Sequence, residues 1–281
     1  MDKGWRDSRK ISSWDLTGRL IVGDILLCIG CIVVVIALFI TMNGNGENFV
    51  ESLIYVSVAF IFLIVGLVFL RRGCSSKGIF LEHLYDIIPL NATKENGDTV
   101  KIGTAIFIKQ NILVTNAHLI YDKESEKVFD KITCFLFSKA NAHTAEREVV
   151  VLKYDNNLDI AILYVLPDLK NDKDLKFGSV IKKGKSSKLN VGDKIYAIGN
   201  SAGNGIAVSQ GTVSLPLVKE RLNEKEEYFI QLTVAIIGGN SGGAVLNKKG
   251  KLVGMTTFCK TDNPNFAYAI PIEEIMDFIK K

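Results

Sequence analysis

The sequence predicts a mainly β fold, an all-β barrel or sandwich, preceded by two apolar helices. From residue 100 onward, β-branched and aromatic runs alternate with clusters of Gly, Asn, Asp and Lys, which is typical of short strands joined by polar turns. Two long apolar runs precede this region. They account for a composition that is 48% hydrophobic, with a mean hydropathy of +0.22.

The two apolar runs predict a transmembrane helical hairpin over residues 20–72, after an N-terminal tail at 1–19. The helices are expected at about 20–42 and 53–70, because runs of this length can cross a hydrocarbon core of about 30 Å. A secretory signal peptide is the alternative for the first run. No small-residue cleavage site follows it, however, so two uncleaved helices are favoured.

The distribution of positive charge predicts the orientation of this hairpin. Lys and Arg residues precede the first run and follow the second, whereas the loop at 43–52 contains neither. Positive residues favour the cytoplasmic side, so both ends and the β region are expected on the cytoplasmic face of the cell membrane. Apart from Cys28 and Cys31, no two of the five cysteines have metal or disulfide-framework spacing, and their odd number agrees with a reducing compartment. Cys28 and Cys31 have a metal-like spacing, but their apolar surroundings favour a structural role and no metal is predicted.

Residues 73–99 carry mixed charge and are expected to connect the hairpin to a β domain at 100–281. The lysine-rich segment 168–188 is expected to cross between two halves of this domain and to face water. After Pro271, helical spacing predicts a terminal helix that packs on the second half. Strands are predicted at 104–108, 112–115, 132–137, 149–152, 160–165, 194–198, 206–214, 228–233, 243–246, 252–258 and 266–270.

Ser241 is the candidate nucleophile, because glycines flank it at 238–239 and 242–243. Such a loop can expose a hydroxyl while backbone amides converge on one point, as acyl transfer requires. An ordinary Gly-rich turn is the alternative on this segment alone.

A serine nucleophile needs a base, usually a histidine oriented by a carboxylate. Of the three histidines, His83 and His143 lie in polar or connecting stretches and are expected to be exposed or locally satisfied. His118 ends an apolar strand, and Asp159 opens another. A core histidine and a loop acid are the alternatives, but the chain order His118, Asp159, Ser241 matches the chymotrypsin order of the triad.

The sequence resembles the trypsin-like serine peptidases of the HtrA/DegP type from about residue 103 to 271. The resemblance rests on TNAH at 115–118, NLDIAIL at 157–163, VGDKIYAIGN at 191–200, QGTVS at 210–214 and GNSGG at 239–243. It implies a chymotrypsin-like double β-barrel, with His118 as general base, Asp159 as its orienter and Ser241 as nucleophile. The amides of Gly239 and Ser241 would form the oxyanion hole.

The resemblance also implies a specificity pocket floored by Ala235, which carries no charge and predicts cleavage after small or medium aliphatic residues. The substrate backbone is expected to pair with the strand around Thr256, Thr257 and Phe258.

The chain departs from the family in two respects. No PDZ domain is expected after the terminal helix, so a different mode of regulation is expected. Val234 and residues 237–238 replace the usual acid and Asn-Pro, which leaves open whether the oxyanion loop is permanently ordered.

The sequence therefore predicts a membrane-anchored serine endopeptidase that cleaves protein or peptide substrates through an acyl-enzyme, without metal or organic cofactor. The expected partners are such substrates and the lipid bilayer, and a homo-oligomer is left open. A net charge of +4 without a basic stripe gives no case for nucleic acid. The alternatives are a peptide-binding pseudo-protease and a membrane scaffold without turnover.

Overall fold

The structure is a computed structural model that describes residues 14–43, 49–73, 76–94, 98–137, 144–166, 180–223, 225–260 and 263–281. These residues fall into two compact units, a helical unit that ends at Glu82 and a β unit that begins at His83. The predictions for 1–13, for residues 44–48 of the loop 43–52 and for 168–179, together with His143 and Cys74, fall outside the described residues.

The helical unit contains three helices: α1 (Trp14–Asn43), α2 (Phe49–Gly73) and the short α3 (Ser76–His83). α1 and α2 pack against each other at two glycines. A Cβ atom added to Gly30 would lie 3.0 Å from Leu63 Cγ, and one added to Gly66 would lie 2.9 Å from Leu27 Cγ. Glycine at these positions therefore allows the close approach of the two helices.

Within the described residues, no helix combines the length and the apolar composition that crossing a membrane would require. The prediction of a transmembrane hairpin at 20–72 is corrected accordingly: helices form in both apolar runs and pack together, but the structure does not support their assignment as membrane spans.

The β unit contains two closed antiparallel barrels. The first has the order β1-β2-β3-β8-β7-β6 and the second has the order β10-β11-β14-β13-β12-β9, with β4 and β5 forming a separate small sheet. The strands are β1 (Ile87–Thr93), β2 (Thr99–Lys109), β3 (Ile112–Thr115), β4 (Tyr121–Asp122), β5 (Lys127–Val128), β6 (Lys131–Phe137), β7 (Thr144–Asp155), β8 (Ile160–Val165), β9 (Lys194–Asn200), β10 (Ile206–Leu222), β11 (Lys225–Leu232), β12 (Ala244–Asn247), β13 (Leu252–Lys260) and β14 (Asn263–Pro271).

Each barrel closes around its own apolar interior. In the second barrel, side chains from different strands, including Ile195, Val213, Ile230 and Val253, form one buried cluster. The apolar, β-branched strands that predicted this domain therefore supply its core.

The first barrel begins earlier than the sequence predicted. β1 lies inside the predicted connector 73–99 and pairs with both β2 and β6. Its buried residues Ile87, Ile88 and Leu90 are interrupted by Pro89, which obscured the strand pattern. A proline is compatible with this strand because it removes one amide donor from the ladder but leaves the carbonyl acceptor.

The terminal helix α4 (Ile272–Lys280) follows Pro271 as predicted and buries Ile272, Ile275 and Phe278. The carboxylate of Glu273 accepts hydrogen bonds from the amides of Ser186 (3.1 Å) and Ser187 (3.3 Å) and from the Ser186 hydroxyl. This contact ties the first turn of α4 to the segment that precedes β9.

Candidate active site

His118 and Asp159 meet because their strands pair. β3 and β8 are antiparallel, with Thr115 opposite Ala161, so the residues just beyond these positions are neighbours. His118 lies in a one-turn 3-10 helix, Ala117–Leu119, and its Nδ1 is 2.9 Å from Oδ2 and 3.0 Å from Oδ1 of Asp159. The His118 amide donates to the same carboxylate at 2.9 Å. A carboxylate facing Nδ1 favours the tautomer that has its proton on Nδ1 and leaves Nε2 as the acceptor.

Asp159 is 2% exposed, so its carboxylate has lost nearly all of its hydration. Besides the two groups of His118, the hydroxyl of Thr257 donates to Oδ2 at 2.6 Å. The side chain of Asn116 donates to the Asp159 carbonyl at 3.0 Å, which holds the residue in a left-handed backbone conformation (φ 55°). These donors offset the cost of burying a charged group.

Ser241 is linked to the same network through Thr257. Its hydroxyl donates to the carbonyl oxygen of Thr257 at 3.0 Å, while Thr257 itself donates to Asp159. Within the described residues no hydrogen bond joins Ser241 to His118. The three predicted triad residues are therefore gathered around Thr257, with the Ser241 hydroxyl turned to that carbonyl.

The loop before Ser241 is held by hydrogen bonds from two other segments. The carbonyl of Gly238 accepts from the Ala202 amide at 2.7 Å, and the carbonyl of Gly239 accepts from the Thr104 hydroxyl at 2.8 Å. Gly239 has φ 90°, and a Cβ at this position would lie 2.1 Å from the Asn200 carbonyl oxygen, so only glycine fits.

The amides of Gly239 and Ser241 are the predicted oxyanion hole. In a trans peptide the N–H points away from the preceding carbonyl, so the bond from Ala202 to Gly238 turns the Gly239 N–H away from Ala202. Within the described residues, neither of these two amides donates a hydrogen bond. Both are available to a ligand oxygen, which is consistent with the predicted role.

The predicted substrate residues occupy two different places. Thr256, Thr257 and Phe258 lie on β13, where Thr256 and Thr257 are buried and Phe258 stacks on Tyr268 at 4.7 Å between ring centroids. Ala235 lies exposed between β11 and β12, and no hydrogen bond joins it to the triad within the described residues. The roles of all four in binding remain predictions.

A second histidine–aspartate pair lies away from this site. His83, which was expected to be exposed or locally satisfied, is buried and contacts a residue three positions along the chain, with Nδ1 3.1 Å from Asp86 Oδ2. Within the described residues its Nε2 has no hydrogen-bond partner.

Four cysteines are described and all are free thiols. Burial raises the pKa of the Cys134 thiol to about 12, so this cysteine stays protonated and unreactive at neutral pH.

Sequence reasoning missed three residues that shape the site. Thr104 and Asn116 had no assigned role, and Thr257 was predicted only to present its backbone to substrate. The available signal was a threonine or asparagine beside an apolar strand. That signal is weak because such residues usually only satisfy local backbone groups.

Comparison with known proteins agrees with this geometry. The family model described as a trypsin-like peptidase domain matches residues 103–255, which is more than half of the chain. The chain therefore belongs to the trypsin-like peptidase family. The prediction of a chymotrypsin-like, mainly β fold is confirmed, and so is the predicted similarity to HtrA-type serine proteases.

Two curated relatives show the extent of this similarity. A probable periplasmic serine endoprotease, DegP-like, of Buchnera aphidicola subsp. Baizongia pistaciae is 36% identical over 177 residues, which is 62% of this chain and 34% of that protein. A serine protease, HtrA-like, of Staphylococcus aureus is 26% identical over 204 residues, which is 67% of this chain and 24% of that protein. The chain thus spans about a third or less of the length of these relatives.

Two solved structures share the fold. The HtrA-type protease AlgW with tripeptide has a TM-score of 0.57 and 28% identity, covering 73% of this chain and 62% of that chain. The active form of the Rv3671c protease from M. tuberculosis has a TM-score of 0.58 at 14% identity, covering 71% of this chain and 81% of that chain, and supports the fold alone.

Proposed function

We propose that the β unit is a serine endopeptidase domain that hydrolyses peptide bonds of protein substrates through an acyl-enzyme. One observation carries this proposal: Thr257 bonds to the hydroxyl of Ser241 through its carbonyl and to the carboxylate of Asp159 through its hydroxyl, while Asp159 holds the ring of His118. Nucleophile, base and orienting acid thus share one network at the junction of the two barrels.

Catalysis begins with a rotation of the Ser241 side chain. The hydroxyl leaves the Thr257 carbonyl and turns to Nε2 of His118, which accepts its proton as Oγ attacks the substrate carbonyl. Asp159 stabilises the resulting imidazolium, and the amides of Gly239 and Ser241 bind the oxyanion. The imidazolium then returns the proton to the leaving amine, which leaves an acyl group on Ser241, and water releases this group by the same steps.

The substrate backbone adds to an open edge of β13. β12 pairs with β13 only as far as Ala244 opposite Met255, whereas β14 continues to pair with β13 through Cys259. One edge of β13 from Thr257 onward therefore has no strand beside it within the described residues. An extended peptide fits this edge by strand addition, with the Thr257 carbonyl as an acceptor once Ser241 has turned away. With no charge at Ala235, the preferred cleavage is after small or medium aliphatic residues.

Hydrolysis of an unfolded protein by the full chain tests the proposal. His118→Ala and Ser241→Ala should each abolish turnover, whereas His83→Ala changes a buried histidine outside the triad and serves as the control, with folding checked by circular dichroism. A pseudo-protease would bind the substrate at the β13 edge but show no turnover even in the unsubstituted chain. That result would overturn the proposed activity.

We also propose that the helical unit attaches the protein to a lipid bilayer. Both long helices expose large apolar side chains, among them Phe39 (67% exposed) and Phe60 (63%). Such a surface is favourable in contact with lipid and unfavourable in water. Because positive residues flank the two apolar runs, the proposed location is the cell membrane, with the peptidase domain on the cytoplasmic face.

Thiol labelling of intact cells tests this location. An impermeant reagent should miss a cysteine introduced at Thr144, and washing with carbonate should leave the protein in the membrane fraction. Release by carbonate would exclude attachment through the helices, and labelling at Thr144 would overturn the orientation.

A further inference from the structure

A basic cavity of about 580 Å³ lies on the second barrel, away from the catalytic residues. Lys183, Lys185 and Lys188 line it from the segment before β9, together with Lys194 at the start of that strand. Lys248, Lys249 and Lys251 line it from the turn between β12 and β13. We call this cavity the lysine groove.

The lysine groove and the candidate active site lie at opposite ends of the same strands. β9 begins at Lys194 beside the groove and ends at Asn200 beside the oxyanion loop. The turn that joins β12 to β13 also lies at the groove, whereas Ala244 of β12 and Thr257 of β13 lie at the catalytic end. A strand of seven residues spans roughly 20 Å, so the groove is a separate site.

The seven lysines of the groove are not neutralised by the protein. None of them takes part in an ion pair within the described residues. Asp193 is the single carboxylate in the lining, and its Oδ2 accepts a hydrogen bond from the Asn190 amide at 2.9 Å. The adjacent carboxylate of Glu273 is turned to Ser186 and Ser187.

The charge of the groove is large compared with that of the whole chain. Seven positive charges face one negative charge, an excess of six, whereas the complete sequence has a net charge of only +4. The rest of the chain is therefore slightly acidic. Like charges held in one concavity repel each other, and a ligand of opposite charge relieves that repulsion.

The backbone that carries these lysines is fixed by hydrogen bonds. The Gly184 amide donates to the Leu252 carbonyl at 2.7 Å, and the Leu252 amide donates to the Lys182 carbonyl at 2.9 Å, which joins the two lysine-bearing segments. Asn247 Oδ1 accepts from the amides of Lys249 (2.9 Å) and Lys251 (3.1 Å). The lysine side chains therefore project from a framework that does not have to form on binding.

We propose that the lysine groove binds a compact polyanion that carries several phosphate groups. A phosphate group carries a charge of about −1.5 to −2 at neutral pH, so three or four of them match the excess of six. A single phosphate would leave most of the lysines unpaired. A flat anionic surface would reach only the rim of the groove, and an extended acidic peptide would carry less charge in the same volume.

Calorimetric titration of the full chain with inorganic triphosphate tests this inference. The experiment uses the Ser241→Ala chain, so its outcome does not depend on peptide hydrolysis and its failure is separate from failure of the proposed function. A triple variant with Lys185→Gln, Lys249→Gln and Lys251→Gln should bind at least about 30-fold more weakly, since each lysine close to an anionic surface contributes on the order of fivefold. Raising the salt concentration should weaken binding to the unsubstituted groove.

The matched control removes three lysines that the protein already neutralises. Lys219, Lys225 and Lys260 form ion pairs with Glu226, Glu227 and Glu220, so their triple change to Gln alters the net charge equally but spares the groove. This control should bind triphosphate almost as the unsubstituted chain does. Thermal unfolding checks both variants, and single substitutions at Lys249 and Lys251 replace the triple variant if it does not fold.

Three outcomes would overturn the inference. They are an absence of binding by any of the anions tested, an equal loss in the groove and control variants, and binding of phosphatidylglycerol vesicles or an acidic peptide where triphosphate does not bind.

Discussion

Thr104, in the first barrel, donates a hydrogen bond from its hydroxyl to the carbonyl oxygen of Gly239 in the second, at 2.8 Å. The same hydroxyl accepts from the Asn200 amide at 2.8 Å, and the Thr104 amide donates to the Ser241 carbonyl at 2.9 Å. Thr104 is fully buried. One residue of the first barrel therefore positions both Gly239 and the candidate nucleophile Ser241.

Replacing Thr104 by Val should lower kcat by roughly 10-fold, because losing a buried hydrogen bond costs on the order of 1.5 kcal/mol. KM should change little, since the β13 edge is not altered. Thr104→Ser keeps the hydroxyl and should recover most of the loss. Equal kinetics for the Val variant and the unsubstituted chain would remove Thr104 from the account of the oxyanion loop.

Asp159→Asn tests the orienting carboxylate without changing the backbone. Asparagine tolerates the left-handed conformation found here (φ 55°), so the thermal unfolding temperature should move little. The amide cannot stabilise an imidazolium or select the correct tautomer, so kcat should fall by about 10⁴-fold. A variant that is folded and retains more than a tenth of the activity would contradict the assignment.

His118, Asp159 and Ser241 could be chosen as candidates from the sequence, because the choice uses only their residue types and their order along the chain. β3 and β8 were also predictable, since both are uninterrupted apolar runs that match the observed strands Ile112–Thr115 and Ile160–Val165. β1 was missed because Pro89 and Asn91 interrupt its apolar pattern. The local sequence pattern was therefore sufficient to predict strands in which every residue type suits its position.

The contacts between the barrels could not be predicted in the same way. Thr104 and Gly239 are 135 positions apart, and no local pattern indicates which polar residue a distant loop will contact. The lysine groove has the same origin, because its lysines come from segments that only the pairing of Lys183 with Leu252 brings together. The sequence showed only a lysine-rich segment expected to face water.

Two glycines with similar φ angles allow the energetic cost of a strained backbone to be distinguished from that of steric overlap. Gly242 (φ 80°) would place a Cβ 2.0 Å from the Thr104 carbonyl oxygen, whereas Gly192 (φ 84°) has no atom within 4 Å of that position. Gly192→Ala should cost about 1 to 2 kcal/mol in the free energy of unfolding, and Gly242→Ala about 3 to 5 kcal/mol. Urea unfolding measures both, and equal losses would show that overlap with Thr104 is unimportant.

Stability should depend on pH through Glu273. Partial burial raises the pKa of this carboxyl, but hydrogen bonds from the Ser186 hydroxyl and from the amides of Ser186 and Ser187 lower it more, so the net pKa is below its ordinary value. The stabilisation is therefore complete above the ordinary pKa of 4.5 and is lost as the pH falls through the lowered value.

Glu273→Gln should accordingly reduce the urea midpoint at pH 7, and the difference from the unsubstituted chain should shrink as the pH falls below the ordinary pKa of 4.5. Glu274→Gln, at the exposed neighbouring position, is the control and should have little effect at either pH. A Glu273→Gln deficit that stays constant with pH would show that the charge of the carboxylate does not stabilise α4.

Labelling with a fluorophosphonate probe tests the central claim most directly, because the probe reacts only with a serine hydroxyl that its surroundings activate. The unsubstituted chain should be labelled at Ser241, and His118→Ala should be labelled far more slowly. Ser241→Ala should not be labelled at all, since removing the nucleophile of a serine protease lowers kcat by about 10⁶-fold. Equal labelling of Ser241→Ala and the unsubstituted chain, or a folded unsubstituted chain that the probe does not label, would contradict the account.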